Sequence, residues 1–165
     1  MRNLIFVGLP GSGKSTVGRL CAKALNLPFV DADKFLEQRE GRSVADIFAS
    51  SGEGYFRDLE SRVLAELCRR EGIVLATGGG AVLRRENRTL LKGSGLVIFL
   101  DRSPWAIRRT LRRQGRPLLT DDGAIFRLAR QRRDLYRAAA HHSDNKSTAR
   151  QAAEEAVRLW REEQT

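Results

Sequence analysis

Eight residues near the N-terminus carry the most specific chemical signal in the chain. Gly8-Leu9-Pro10-Gly11-Ser12-Gly13-Lys14-Ser15 follows the spacing G-x-x-x-x-G-K-[ST], with an apolar strand pattern before it and a helical pattern after it. Glycines here let the backbone wrap a phosphate, so the N–H groups from Gly11 through Ser12, Gly13 and Lys14 to Ser15 can point inward. Thr16 follows on the helix, whose N-terminus adds partial positive charge. Lys14 suits the β- and γ-phosphates of a nucleotide, and the Ser15 hydroxyl suits Mg²⁺, which prefers oxygen ligands. The loop implies grip on a nucleoside triphosphate such as ATP. It does not say where a phosphoryl group would go.

Carboxylates narrow the choice. Asp31 and Asp33 end the second strand pattern with one residue between them. Beside a phosphate loop, two such carboxylates can divide the work, one near the metal and one near the phosphoryl acceptor. Leu96–Leu100 followed by Asp101 superficially matches the hydrophobic strand ending in Asp of motors and GTPases. Ser103-Pro104 opens a helix immediately afterwards, so Asp101 reads as a residue preceding a cap.

Arginines form the third group. Six lie between Arg102 and Arg116, at 102, 108, 109, 112, 113 and 116. The stretch from Gln114 to Gly123 is polar and rich in turn formers. An arginine carried on a mobile lid would stabilise the charge on the transferring phosphoryl group and exclude water. Arg116 is the candidate for that role, and Arg108 and Arg109, nearer the helix, are candidates to flank the adenine.

These groups need a frame. Strand patterns cover Asn3–Val7, Phe29 into Asp31, Ile73–Thr77 and Leu96–Leu100, with a short fifth one within His141–Asp144. Helical patterns alternate with them: Ser15–Leu25, Lys34–Arg39, Val44–Ala49, Glu53–Glu71, Arg85–Leu91, Pro104–Arg113, Ala124–Ala140 and Thr148–Glu163. Alternation predicts a parallel sheet with helices on both faces, and ligands beyond the C-terminal strand ends. Gly8–Lys14, Asp31–Asp33, Gly78–Gly80 and Asp101 all fall at that edge.

Composition sets the class. With 165 residues, 41% hydrophobic and 30% charged, the chain reads as one globular domain spanning 1–165. No apolar run approaches membrane-spanning length. The first strand pattern begins almost at once, which leaves no room for a signal peptide, so a cytoplasmic location and no membrane partner are expected. A net charge of +10 fits either a nucleic-acid surface or very anionic small ligands. Without aromatic-interleaved basic runs or zinc spacing, no nucleic-acid partner is expected. Cys21 and Cys68 read as free buried thiols, His141 and His142 as strand or turn residues. From its size a monomer is expected.

Nearly the whole chain resembles one family, shikimate kinase. The resemblance rests on Gly8–Gly18, Asp31-Ala32-Asp33, the run from Gly41 through Phe48, Gly52-Glu53, Phe56-Arg57 with Glu60, Gly78–Val82, and Arg116-Pro117-Leu118-Leu119. It implies a three-layer α/β/α P-loop kinase with a five-stranded parallel sheet in the order 2-3-1-4-5. It also implies a substrate-binding segment at 31–60 and a mobile lid at about 112–123. The activity implied is transfer of the ATP γ-phosphate to the 3-hydroxyl of shikimate, with Mg²⁺, on the route to chorismate and aromatic amino acids. By the same resemblance Lys14 and Arg116 act on the phosphates. Ser15 and Asp31 hold the metal, Asp31 through water, and Arg109 flanks the nucleotide. Asp33 meets the substrate hydroxyls and orients or accepts the proton of the attacking one. Arg57 binds the carboxylate, Glu60 holds Arg57, Gly79 and Gly80 face the substrate, and Phe48 and Phe56 wall the ring. The second carboxylate arginine lies four residues before a tyrosine, which gives Arg132 and Tyr136, with Arg130 and Arg133 as neighbours. This chain has Asp134 where the family has proline, and its 144–150 segment lacks the family's Asn-Pro-like helix entry. A gluconate kinase would need a different acceptor pattern.

Overall fold

The computed structural model describes residues 1–113, 123–146 and 148–165. In chain order these form β1 (Asn3–Val7), α1 (Lys14–Leu25), β2 (Phe29–Asp31), α2 (Ala32–Glu40), α3 (Val44–Leu67) and β3 (Val74–Ala76). Then come α4 (Arg85–Ser94), β4 (Gly95–Leu100), α5 (Pro104–Arg113), α6 (Ala124–Ala139), β5 (His142–Asp144) and α7 (Ala149–Glu163). The five strands form one sheet ordered β2-β3-β1-β4-β5. Every neighbouring pair is parallel, with Leu4 opposite Val74 on one side of β1 and Leu96 on the other.

The sheet is covered on both faces, which is why its central strands are apolar throughout rather than alternating. Side chains still alternate between the faces with the period of two that a strand imposes. Leu4, Phe6, Leu96, Ile98 and Leu100 pack against α1 and α7 through Val17, Cys21, Ala153 and Trp160. Ile5, Val7, Val97 and Phe99 pack against the other helices through Leu36, Ile47, Leu64, Leu91, Ile107 and Tyr136. At about 1.5–3 kcal/mol for each fully buried large apolar side chain, these two layers dominate the stability of the sheet. No helix among the described residues is long and apolar enough to cross a membrane.

Several boundaries differ from the sequence reading. Helix α2 begins at Ala32 rather than Lys34, because the Asp31 side chain caps it by accepting the Lys34 N–H. Asp33 therefore stands in the first turn of a helix rather than in a loop. The segments read as separate helices around Gly52 run together as α3, with a kink where Gly52 adopts φ 83°. That left-handed conformation is open to glycine and strained for other residues. Helix α3 stops at Leu67 rather than Glu71, and α4 runs on to Ser94. Side-chain caps stand elsewhere: Ser43, Ser103 and Thr148 each accept a first-turn N–H.

Candidate active site

The phosphate loop joins β1 to α1. Gly13 precedes the helix with φ 93°, and no side chain caps it. The first-turn N–H groups of α1 thus lack side-chain and intrahelical acceptors, the arrangement that attracts an anion. The Ser12 hydroxyl is buried without a partner among the described residues. Lys14 curls back, and its Nζ donates to the Gly8 and Leu9 carbonyls, both at 2.8 Å. Burial lowers its pKa to about 8, against the attraction of Asp33 and Asp31.

Ser15 Oγ donates to Asp31 Oδ2 at 2.7 Å, so a hydroxyl and a carboxylate stand together beside the helix N-terminus. An all-oxygen pair of this kind suits a hard divalent cation.

The acceptor side is assembled from four separate segments. Asp33 comes from α2, Arg57 and Glu60 from α3, the glycine triplet from the loop after β3, and Arg132 from α6. Arg57 Nη1 donates to Glu60 Oε1 at 2.8 Å, with side chains only 12% and 5% exposed. The Arg57 guanidinium also lies over the Phe56 ring at 5.1 Å and the Phe48 ring at 5.9 Å. Phe56 is core, Phe48 is partly exposed, and their rings stand 4.8 Å apart.

The glycines are dictated by close approach. A Cβ on Gly78 would lie 2.6 Å from Asp33 Oδ1 and 2.9 Å from Glu60 Oε2. One on Gly80 would overlap the Arg57 guanidinium, and one on Gly79 would lie 2.8 Å from the Pro10 ring. The triplet is therefore a floor pressed by both carboxylates, the arginine and the phosphate loop. Asn87 Nδ2 and Arg88 Nη1 donate to the Ala81 and Val82 carbonyls and brace the turn that follows.

Burial of the group has an electrostatic consequence. The Asp33 carboxyl is pushed up to about 6, first by desolvation and then by Glu60 and Asp31. Burial raises Glu60 as well, against the pull of Arg57. Asp33 is thus tuned near neutrality, where a proton acceptor works best.

Arg132 belongs to this cluster. Its charge acts on Lys14, Glu60 and Tyr136, and its Nε is buried with no partner among the described residues. Arg133, the next residue, turns to Asp101 instead, with Nη2 2.9 Å from Oδ2. Asp101 is therefore an anchor for α6.

A family model described as shikimate kinase matches residues 10–161. A shikimate kinase of Thioalkalivibrio sulfidiphilus is 46% identical, the match spanning 96% of this chain and 87% of that one. The shikimate kinase of Pseudomonas syringae pv. tomato is 51% identical over 85% of this chain and 84% of its own. The chain belongs to the shikimate kinase family.

Among solved structures, shikimate kinase from Acinetobacter baumannii in complex with shikimate superposes with a TM-score of 0.89 at 37% identity. That match covers 99% of this chain and 94% of the other. Membership of the family makes the chain an ATP-dependent phosphotransferase, which in turn implies a divalent cation.

Seen from the family, the structure brings Lys14, Ser15, Asp31, Asp33, Arg57, Glu60, the glycine triplet and Arg132 together. Arg116 and nearly all of the expected lid lie outside the described residues. Arg109 stands apart from the acceptor group, in the wall of a cleft of about 630 Å³. That cleft opens between α5, α6 and the ends of β4 and β5, with Leu9 and Tyr136 also in its wall. A smaller cavity of about 140 Å³ adjoins the phosphate loop, where Ser12 and Gly13 meet Arg102, Asp144, Lys146 and Thr148. Sequence reasoning missed the bond from the Tyr136 hydroxyl to the Gly79 carbonyl at 2.6 Å. The arginine–tyrosine spacing marked that helix, and nothing in it named the carbonyl partner.

Proposed function

We propose that the chain transfers the γ-phosphoryl group of ATP to the 3-hydroxyl of shikimate, giving shikimate 3-phosphate and ADP. One observation carries this reading. A carboxylate tuned near neutrality, a buried arginine and a side-chain-free floor stand directly against a phosphate loop. Shikimate is a small ring with one carboxylate and three hydroxyls, and this set matches it.

Lys14 and the first-turn N–H groups of α1 hold the phosphates. On nucleotide arrival, Lys14 exchanges the Gly8 and Leu9 carbonyls for phosphate oxygens. Ser15, and Asp31 through water, would hold Mg²⁺, which would neutralise charge on the phosphates when bound. Arg57 and Arg132 receive the carboxylate, and a guanidinium's planar fork suits that group better than an ammonium does. Asp33 accepts or orients the proton of the attacking hydroxyl. Phe48 and Phe56 border the apolar face of the ring, and the floor at Gly79 and Gly80 lets it lie close. By the resemblance, Arg116 would answer the charge on the transferring group. Arg102, Arg109, Lys146 and Thr148 line the space for the base and sugar.

The test is ADP release with ATP and Mg²⁺ against a panel of acceptors, with the product identified by phosphorus NMR. Shikimate should stimulate release and yield the 3-phosphate. Stimulation by gluconate or by nucleic acid, with none by shikimate, would reject the reading.

A further inference from the structure

Tyr136 is the most deeply buried polar side chain next to the site that the proposed mechanism leaves unused. It is 1% exposed, and its ring stacks on Phe99 at 5.1 Å. Packing alone would be served by phenylalanine. The hydroxyl instead donates to the Gly79 carbonyl at 2.6 Å, the only hydrogen bond among the described residues between α6 and the glycine floor. The Arg132 guanidinium faces the same hydroxyl, one helical turn earlier on the same side of α6.

This bond fixes a peptide plane. No peptide bond among the described residues is cis. In a trans peptide the C=O and the following N–H point in opposite directions. Holding the Gly79 carbonyl against Tyr136 therefore turns the Gly80 N–H away from it. Gly80 N–H has no acceptor among the described residues, while the Gly80 carbonyl accepts from Leu83 and the Gly78 carbonyl from Ala81. Glycine peptides rotate easily, with no side chain to resist. The Arg57 guanidinium packs against the Cα of Gly80. A rotated peptide would disturb the donor and the arginine together.

We infer that Tyr136 is a positioning residue for the acceptor substrate: its hydroxyl locks the Gly79–Gly80 peptide and holds Arg132 in line with it. The inference rests on the proposed function for the identity of the acceptor, and on geometry alone for the lock.

The test is Tyr136→Phe, which keeps the ring stack and removes only the hydroxyl. KM for shikimate should rise about tenfold, the scale of one lost buried hydrogen bond, with KM for ATP unchanged. In the ligand-free protein the Gly80 amide resonance should shift. Phe99→Leu, which loosens the same stack, should lower Tm without moving either quantity. An unmoved Gly80 amide, or equal rises in both KM values, overturns the lock. A Gly80 amide that responds in a chain whose wild type ignores shikimate supports the lock and sinks the substrate instead. Should Tyr136→Phe fail to fold, Phe99→Leu decides: a raised shikimate KM there assigns Tyr136 to packing and overturns the inference.

Discussion

The phosphate loop and the acceptor group meet at Gly79 and Pro10, yet they are built on opposite plans. The loop is one continuous stretch, and most of its chemistry is backbone: N–H groups, a helix terminus, and one lysine that rests on its own carbonyls. The acceptor group draws on four segments and works through side chains, and burial holds its two carboxyls, Asp33 and Glu60, above the usual carboxylate range. A backbone cradle tolerates most changes around it, because its donors cannot be mutated away. A cluster of buried charges is held by mutual pairing, and removing one member exposes the rest. The loop should thus be hard to damage except at Lys14, while the acceptor group should fail sharply and selectively.

Asp33→Asn gives the largest expected effect. Turnover should fall by about 10²–10⁴, the usual worth of a positioned proton acceptor, while nucleotide affinity stays put. In the wild type, turnover should drop as pH falls through about 6, where Asp33 takes up its proton. Near-normal turnover in the variant, or a flat profile down to pH 5, would remove Asp33 from the chemistry.

Arg57→Ala comes next. Losing a buried charged partner should raise KM for shikimate about 100-fold with little change for ATP. It also strands Glu60, whose side chain is 5% exposed, so stability should fall by about 3 kcal/mol. Adding Glu60→Gln should restore part of the stability and none of the affinity. If stability and affinity return together, the two roles are not separable and the contrast with the loop weakens.

The smallest effect concerns stability alone. Folded Asp33 holds its proton to about pH 6, above the ordinary 3.8. Its ionised form therefore opposes folding above pH 6, and the opposition fades as pH falls through 6 toward 3.8. Asp33→Asn should stabilise the chain by about 1–3 kcal/mol at pH 8 and by much less at pH 4. A variant less stable at pH 8 than at pH 4, relative to wild type, would reverse that sign.

The two regions also differ in how far the sequence discloses them. Gly8–Ser15 carries its meaning in consecutive residues, so spacing alone reveals it. The parallel sheet and both helical layers are legible too, because the apolar run Leu4–Val7 and the regular alternation of elements leave few arrangements, while the strand order is named by the resemblance. Asp33 is marked by its spacing from Asp31 beside the loop, but Arg57 is named only by resemblance, since nothing local brings residues so far apart in the chain together. On paper Arg132 is told from Arg133 only by its spacing to Tyr136. Neighbours on a helix point about 100° apart, and only the packing of Tyr136 against Phe99 fixes which one faces Glu60 and which faces Asp101. The start of α2 was obscured because Asp31 serves both as helix cap and as partner of Ser15.

The contact between Pro10 and Gly79 has a practical consequence. A rigid ring without an N–H meets a residue without a side chain, so the partition between the two half-sites is as thin as a polypeptide allows. A synthetic molecule reaching into both would cross a single residue's width on either side. Its tether can be a few atoms long, and enlarging either residue by one methyl group would wedge the halves apart.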